Sequence, residues 1–146
     1  MTASEASAVA LLRNARTIAV LGAHWDLQRP AGYVPDYLFR NGYRVLPVNP
    51  FFVGQTWWSE PVRATLAELD EGVDIVNVFR KSSDIMAHCP DILAMLPRPG
   101  CVWLQLGIVQ DELGPPLHAA AIPLVQDRCT LADHLRHGLP KIVAHR

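Results

Sequence analysis

A short apolar run closed by a glycine constrains the fold most strongly. Residues 17–21 are apolar or β-branched, and Gly22 follows them at once. An uninterrupted run of this length is typical of a strand that is buried on both faces, as the strands of a parallel sheet are. We therefore expect residues 17–21 to form the first strand of a parallel sheet, with a phosphate-holding loop over residues 22–30 at its carboxyl end.

Four further apolar runs follow at spacings that leave room for a helix between each pair. Crossover connections between parallel strands are right-handed, and helices then cover both faces of the sheet. The sequence therefore predicts an α/β fold: a Rossmann-like, doubly wound sheet of five parallel strands in the order 3-2-1-4-5, with helices on both faces. The predicted strands are residues 17–21, 44–48, 73–79, 101–106 and 122–126.

The segments between the strands carry helix signals. Thr2 and Glu5 have the spacing of a capping box, which predicts a short N-terminal helix over residues 4–15. The apolar face of the next helix would place Pro35 in its first turn, where proline is tolerated. Apolar periodicity predicts a third helix from residue 82 to residue 96, kinked at Pro90.

The chain has the length and the apolar content of one globular domain. It has 146 residues, of which 50% are hydrophobic, and this is enough apolar material for a core. We expect a single domain over residues 1–146 that ends in a tail over residues 138–146. Thirteen Lys and Arg against fourteen Asp and Glu leave no basic excess, so nucleic acid is not an expected partner.

Cysteine and histidine usage predicts neither disulfides nor a metal site. Cys89, Cys101 and Cys129 contain no C-x-x-C pair. His134 and His137 share a predicted helical face but lack a third ligand at a suitable spacing. The N-terminal residues lack the pattern of a signal peptide, and no apolar run reaches about 18 residues. We expect a soluble, cytoplasmic protein that does not contact a membrane.

The loops after the strands disfavour the common nucleotide motifs. Ligands of open α/β sheets bind at the carboxyl ends of the strands. A dinucleotide site there needs G-x-G-x-x-G and an acidic residue after the second strand. This chain has a single glycine, Gly22, in the first loop and has Asn49 after the second strand. No G-K-S or G-K-T follows a strand either, so ATP hydrolysis is also disfavoured.

Five ordered sequence blocks carry a resemblance to a known family. The blocks are G-A-x-x-x-x-x-R-P from Gly22, V-x-P-V-N-P from Val45, D-I-V-x-V-F-R from Asp74, W-L-Q-L-G-I from Trp103 and D-R-C from Asp127. Together they resemble the small, single-domain CoA-binding proteins. That family is similar to the CoA-binding Rossmann-like domain of the succinyl-CoA synthetase alpha subunit, and the match spans residue 17 to about residue 129.

The resemblance implies a site for the ADP part of CoA or acyl-CoA at the carboxyl edge of the sheet. The first loop would face the phosphates, the end of strand two would lie by the ribose or adenine, and the ends of strands three and four would bracket the nucleotide. Amides at a helix N-terminus favour anions, and arginine can bind phosphate bidentately. The residues assigned in this way are Gly22, Ala23, His24, Arg29, Pro30, Asn49, Pro50, Phe79, Arg80, Gln105, Leu106, Gly107 and Ile108.

Two places depart from the usual family pattern. His24 and Trp25 stand where a small hydroxyl residue is usual, and Ala31 and Gly32 follow the R-P pair where a serine is usual. A side-chain phosphate donor and a helix cap are therefore replaced, although His24 can itself donate. We expect a changed affinity for CoA with the site kept.

No nucleophile, base and orienting residue stand out by their spacing. The first interpretation is therefore a stand-alone CoA-binding protein without intrinsic catalysis. The alternative is a thiol-dependent CoA or acyl transferase, or a redox enzyme, that uses Cys129, which follows Arg128 at a strand end. An NAD(P)-binding reductase is a third interpretation, disfavoured by Asn49. The sequence leaves a protein partner or a homodimer open.

Overall fold

The computed structural model describes residues 2–143 and shows a five-stranded parallel sheet with helices on both faces, so the predicted Rossmann-like α/β class is confirmed. The strands are β1 (Thr17–Leu21), β2 (Arg44–Val48), β3 (Thr56–Trp57), β4 (Glu60–Pro61), β5 (Ile75–Val78), β6 (Cys101–Leu104) and β7 (Leu124–Val125), of which β3 and β4 form a separate antiparallel hairpin. The helices are α1 (Glu5–Asn14), α2 (Pro30–Arg40), α3 (Ser82–Ile85), α4 (Cys89–Ala94), α5 (Gly114–Ala119) and α6 (Thr130–Arg136). Short 3₁₀ turns occur at Pro50–Phe52, Leu66–Glu68, Met86–His88 and Asp111–Leu113.

The strand order differs from the predicted one. The parallel strands run β2-β1-β5-β6-β7, which is 2-1-3-4-5 when the five predicted strands are numbered along the chain. The predicted order 3-2-1-4-5 is therefore wrong. Pro47 lies inside β2 and has no N–H for a second neighbour, which suits an edge strand. By contrast, β5 is buried at every position and pairs with both β1 and β6, as a central strand does.

The two faces of the sheet carry separate hydrophobic layers. Consecutive residues of β1 point to opposite faces, with Ile18 in one layer and Ala19 in the other. Helices α1, α2 and α6 cover the first layer, and α3, α4 and α5 cover the second. The chain thus leaves β1 toward one face and leaves β5 toward the other. In open α/β sheets, ligands bind at the carboxyl edge where neighbouring connections diverge in this way, which here is between β1 and β5.

Two predicted helix starts are corrected. Helix α1 is capped by Ser4, whose hydroxyl accepts the N–H of Ser7, while Thr2 lies beside β7; the predicted capping box is therefore not the cap. Helix α2 begins at Pro30, so Pro35 lies in its second turn and not in its first. Proline at N1 is favourable because its φ angle is already helical and no N–H is lost from the helix.

The predicted third helix is divided. Helix α3 passes into a 3₁₀ turn, and α4 begins at Cys89 with Pro90 in its first turn, which is where proline is accepted in a helix. Leu96 lies beyond α4 and is 84% exposed, so it does not belong to the apolar face. The predicted tail is described as far as residue 143, and residues 144–146 lie outside the described range. Within residues 2–143, no helix is long and apolar enough to span a bilayer.

Buried polar contacts attach α6 to the sheet and to α2. The Thr130 hydroxyl donates to the Asn77 side chain at 3.1 Å. His134 is 2% exposed, and its Nδ1 lies 2.8 Å from the Tyr37 hydroxyl. Its Nε2 is buried without a regular hydrogen-bond partner among the described residues. Burial lowers the pKa of His134, and the Pro140 carbonyl, which is outside regular hydrogen-bond geometry, acts in the opposite direction.

We expect His134 to make the fold less stable in acid. Because its pKa is lower in the folded than in the unfolded chain, the unfolded chain takes up a proton first as the pH falls below about 6.5. The free energy of unfolding then decreases until the pH reaches the folded pKa. Urea unfolding between about pH 5 and about pH 8 should show a smaller decrease for His134→Gln, by up to ~1.4 kcal/mol per pH unit. Parallel pH profiles for the two proteins would contradict this assignment.

Candidate functional site

Parallel pairing brings the ends of four strands together at one edge of the sheet. The N–H of Gly22 donates to the last carbonyl of β2 at 2.8 Å, and the N–H of Phe79 donates to the last carbonyl of β1 at 2.9 Å. The N–H of Gln105 donates to the last carbonyl of β5 at 3.2 Å. The first residues after β2, β1, β5 and β6 therefore form a row, which consists of Asn49, Gly22, Phe79 and Gln105. The structure thus brings together the strand ends from which the predicted site was assembled.

Gly22 lets the loop after β1 lie directly against the end of β5. Its φ angle is +88°, and a Cβ atom here would meet the Phe79 carbonyl oxygen at 2.5 Å and the Arg80 side chain at 3.1 Å. A backbone oxygen cannot move aside as a flexible side chain can. Glycine is therefore required by both the backbone conformation and the available space. As a result, the Arg80 side chain packs against the predicted phosphate loop.

Arg80 is a cationic side chain without a partner of opposite charge. It is half-buried, and its Nε is buried with no hydrogen-bond acceptor among the described residues. It takes part in no salt bridge within residues 2–143. Burial and the nearby charge of Arg80 lower the pKa of His88, which places that positive charge within reach of His88. An unpaired guanidinium beside a backbone loop is suited to an anion.

Asn49 fixes the loop from the other side. It is 6% exposed; its amide donates to the Ala23 carbonyl at 2.9 Å, and its carbonyl accepts the N–H of Phe51 at 3.0 Å. Both ends of the side chain are thus used within the protein. Asn49 therefore positions the two loops. As an uncharged amide that is engaged at both ends, it does not supply the free carboxylate that binds ribose hydroxyls in a dinucleotide site.

A proline inside α2 ties the loop to the helix. Pro35 has no N–H, so it cannot donate to the Ala31 carbonyl one turn earlier. The N–H of His24 donates to that carbonyl instead, at 3.1 Å, and the N–H of Asp26 donates to His24 Nδ1 at 3.0 Å. Gly32 completes the contact, because a Cβ there would lie 2.0 Å from the Asp26 carbonyl oxygen. His24 Nε2 is left as the donor that can face a ligand.

The start of α2 offers an uncapped helix N-terminus. Arg29 is the N-cap residue and provides no side-chain cap, and Pro30 is exposed in the first helical position. The Arg29 side chain is 63% exposed, with its Nε 3.7 Å from a carboxylate oxygen of Asp26. An exposed ion pair at this distance is weak. Arg29 is therefore free to turn toward an anion at the helix N-terminus.

The far side of the row is a turn after β6. Gln105 is 4% exposed and its side-chain oxygen accepts from Asn77, so it supports the edge from within. Leu106 is 68% exposed, and the N–H of Gly107 is bound by a carboxylate from the loop after β7 at 2.7 Å. Ile108 packs on the hydrophobic layer beneath. Of these four predicted residues, Leu106 and Gly107 present surface, whereas Gln105 and Ile108 hold the turn.

Sequence reasoning missed two charged residues at this edge. Lys81 is exposed and is the N-cap residue of α3, directly after Arg80. Asp26 accepts the backbone N–H of Gln28 at 2.9 Å and shapes the first loop. Only their positions in the sequence could have indicated these two residues. Lys81 follows the last predicted site residue of the third strand, and Asp26 lies between His24 and Arg29.

Among the described residues, Cys129 lacks the neighbouring base that a thiol-dependent enzyme needs. It is half-buried before α6 and packs against the layer covered by α1 and α2. Its thiol forms no hydrogen bond with a base among residues 2–143, so no described side chain activates Cys129 as a nucleophile. His134 is bound to Tyr37, and His137 contacts Glu5 at 3.2 Å.

A cavity of about 530 Å³ lies at the opposite, amino edge of the sheet. Leu11 of α1, Asp74, Gly100 and Leu124 are among its lining residues. One carboxylate oxygen of Asp74 already accepts two backbone N–H groups at 2.8 and 2.9 Å. The cavity contains none of the predicted site residues, and it offers no arginine for an anion.

A comparison with protein families shows to which family the chain belongs. The family model of the CoA-binding domain matches residues 16–135. The chain belongs to this family. A curated relative of this CoA-binding domain is the uncharacterized protein YneT of Bacillus subtilis, which is 28% identical over 131 residues, or 90% of this chain and 94% of the relative.

Solved structures agree with the fold of the CoA-binding domain. A Thermus thermophilus protein, cell-free ID.343, is 51% identical with a TM-score of 0.85, covering 92% of this chain and 98% of that one. A hypothetical protein from Pyrococcus horikoshii has a TM-score of 0.82 at 23% identity, covering 92% of each chain. An acetyl-coenzyme A synthetase from Ca. Korarchaeum cryptofilum, in complex with phosphate and ADP, has a TM-score of 0.61 at 17% identity. The match covers 77% of this chain and 26% of the synthetase. At these identities the last two show a shared fold alone.

We expect Gly22→Ala to be much more disruptive than Gly107→Ala. Both glycines have positive φ angles, +88° and +83°, but a Cβ atom at Gly107 would meet no atom within 4 Å, whereas one at Gly22 would meet the Phe79 carbonyl. Gly107→Ala should lower the free energy of unfolding by about 1 kcal/mol through backbone strain. Gly22→Ala should cost a further 1–3 kcal/mol, roughly, through overpacking. Chemical denaturation measures both, and equal losses would show that the close approach is not a constraint.

Proposed function

We propose that this CoA-binding domain is a stand-alone binding protein for CoA or acyl-CoA, and that it holds the ADP part of the ligand at the carboxyl edge of the sheet. One observation carries the proposal. The Arg80 Nε is buried without an acceptor among residues 2–143, and the Arg80 side chain lies directly against the glycine loop that follows β1. A buried donor without a partner is costly, and a phosphate oxygen is an acceptor that would satisfy it.

The charge at the carboxyl edge of the sheet supports a diphosphate. Arg80 and Lys81 follow β5, and Arg29 stands at the N-terminus of α2 on the other side. The N-terminus of α2 adds backbone dipoles of the same sign. Asp26 and Asp127 are the acidic groups that the contacts above place at this edge, and they already accept the backbone N–H groups of Gln28 and Gly107. The balance at this edge therefore favours a ligand with more than one negative charge.

The remaining predicted residues suit the rest of the nucleotide. Pro50 is exposed and Phe79 is half-buried on either side of Gly22, so both offer apolar contact beside the phosphates. Leu106 and Gly107 would close the far side, toward the pantetheine arm.

A binding role without catalysis is consistent with the site. The row at the strand ends contains amide, guanidinium and backbone groups but no base paired with a nucleophile among the described residues. The Asn49 amide is engaged at both ends within the protein and carries no carboxylate, which weakens the NAD(P) interpretation. The relatives YneT and the Thermus protein are matched over 94% and 98% of their lengths, so they share this architecture without an added domain in the matched chains.

We expect calorimetry to show CoA binding that depends on Arg80. Arg80→Gln removes a charge-assisted contact and should weaken binding by about 10-fold or more. Arg13→Gln is the matched control, because Arg13 lies in the last turn of α1, beside the amino edge of the sheet. It should leave the affinity unchanged. Absence of binding by the unaltered protein at millimolar CoA would refute the proposed function.

Competition experiments test the placement of the ligand. ADP should compete with CoA if the adenine diphosphate end occupies the edge. If 4′-phosphopantetheine competes strongly and ADP does not, the protein binds CoA by its other end, and the assigned residues are wrong.

A further inference from the structure

An exposed aromatic surface lies beside the glycine loop, and its two most exposed rings, Trp25 and Phe51, have no role in the contacts described so far. We call His24, Trp25, Phe51 and Phe52 the aromatic shelf. The His24 ring lies 5.3 Å from the Trp25 ring and 5.1 Å from the Phe52 ring. Trp25 is 58% exposed and Phe51 is 81% exposed. The shelf therefore has a packed base and two rings that face solvent.

The shelf is fixed to the phosphate loop. Asn49 joins them, because it accepts the N–H of Phe51 and donates to the carbonyl of Ala23. The backbone of His24 is bound in turn to Ala31 of α2. The exposed rings thus stand at a defined position next to the Gly22 loop and are not carried on a free segment. A preformed surface loses little conformational entropy when a ligand binds.

Exposed aromatic rings of this size need an explanation. Aromatic side chains carry a large apolar area that folding normally buries. Leu27 and Val53, in the same two loops, are also 55% and 57% exposed. Several exposed apolar side chains in two loops that Asn49 connects indicate a binding surface for a ligand or a protein. These loops begin at Gly22, against which Arg80 packs, and this favours a ligand that has an anion at one end and a flat apolar group at the other.

We infer that Trp25 is the stacking surface for the adenine base of bound CoA. This inference rests on the proposed function and adds the residue that recognises the base. In a nucleotide the base is separated from the phosphates by one sugar, so a diphosphate at the Gly22 loop leaves its base close to the ends of β1 and β2. Stacking on an aromatic ring accepts any base with an exposed π-face. Trp25 therefore supplies affinity, and the anion contacts supply orientation.

The test compares Trp25→Leu, which keeps an apolar side chain, with Trp25→Phe, which keeps an aromatic one. The probes are CoA, ADP and 4′-phosphopantetheine, which lacks the adenosine. Trp25→Leu should weaken CoA and ADP by about 5-fold to about 100-fold and leave 4′-phosphopantetheine unchanged. Trp25→Phe should recover most of the loss. Leu135→Ala, at a 67% exposed position in α6, is the control and should change none of the affinities.

Each result separates the inference from the proposal beneath it. CoA binding that is equal in the unaltered protein and in Trp25→Leu overturns the stacking role and leaves the proposed function standing. No CoA binding by the unaltered protein overturns both. A dimer that Trp25→Leu converts to a monomer in light scattering, with CoA affinity unchanged, assigns the shelf to a second copy of the chain and overturns the inference. Should Trp25→Leu fail to fold, Phe51→Leu alters the same surface at a more exposed position.

Discussion

The close approach of Gly22 to the Phe79 carbonyl is the constraint on which the carboxyl edge depends. It arises because β1 pairs with β2 on one side and with β5 on the other, so the ends of three strands stop at the same level. A side chain at position 22 would separate them. Without it, the loop after β1 folds over the end of β5, and the Arg80 side chain lies against the backbone of that loop. The absence of a side chain at Gly22 thus allows the loop after β1 and the end of β5 to meet.

The loop after β1 is held by hydrogen bonds that lie outside the regular patterns of helices and sheets. Pro35 removes a helical N–H, and the Ala31 carbonyl that it frees is taken by His24. Asn49 likewise connects the loops after β1 and β2, with one hydrogen bond to each loop. These contacts cost little stability because each satisfies a buried polar group. They also explain why the loop can keep an open conformation without a glycine-rich sequence.

Much of the fold could be predicted from the sequence, because short buried strands and their glycine or proline stops are local signals. The order of the strands is not local information. Pro47 is a sign that β2 lies at an edge, whereas the predicted order is the commoner Rossmann one. The helix expected over residues 82–96 is divided, since apolar periodicity continues past a point where the backbone changes to a 3₁₀ turn at Met86–His88. At the candidate site, the residues that follow the ends of the strands could be predicted from the sequence. The role of Asn49 inside the protein follows only from distances between loops that are remote in sequence.

The arginines of this chain differ in a way that bears on function. Arg128 makes two hydrogen bonds to Asp133 at 2.7 and 2.8 Å, and Arg44 makes two to Glu71 at 2.8 Å each. These guanidinium groups are satisfied by carboxylates and act within the fold. Arg80 is buried to a similar degree but has no such partner among residues 2–143. A buried donor left open costs about 1–3 kcal/mol, which a protein retains only where something else offsets it. A bound anion would supply the acceptor, so the contact that binds the ligand would also stabilise the fold, by an amount that grows with ligand concentration.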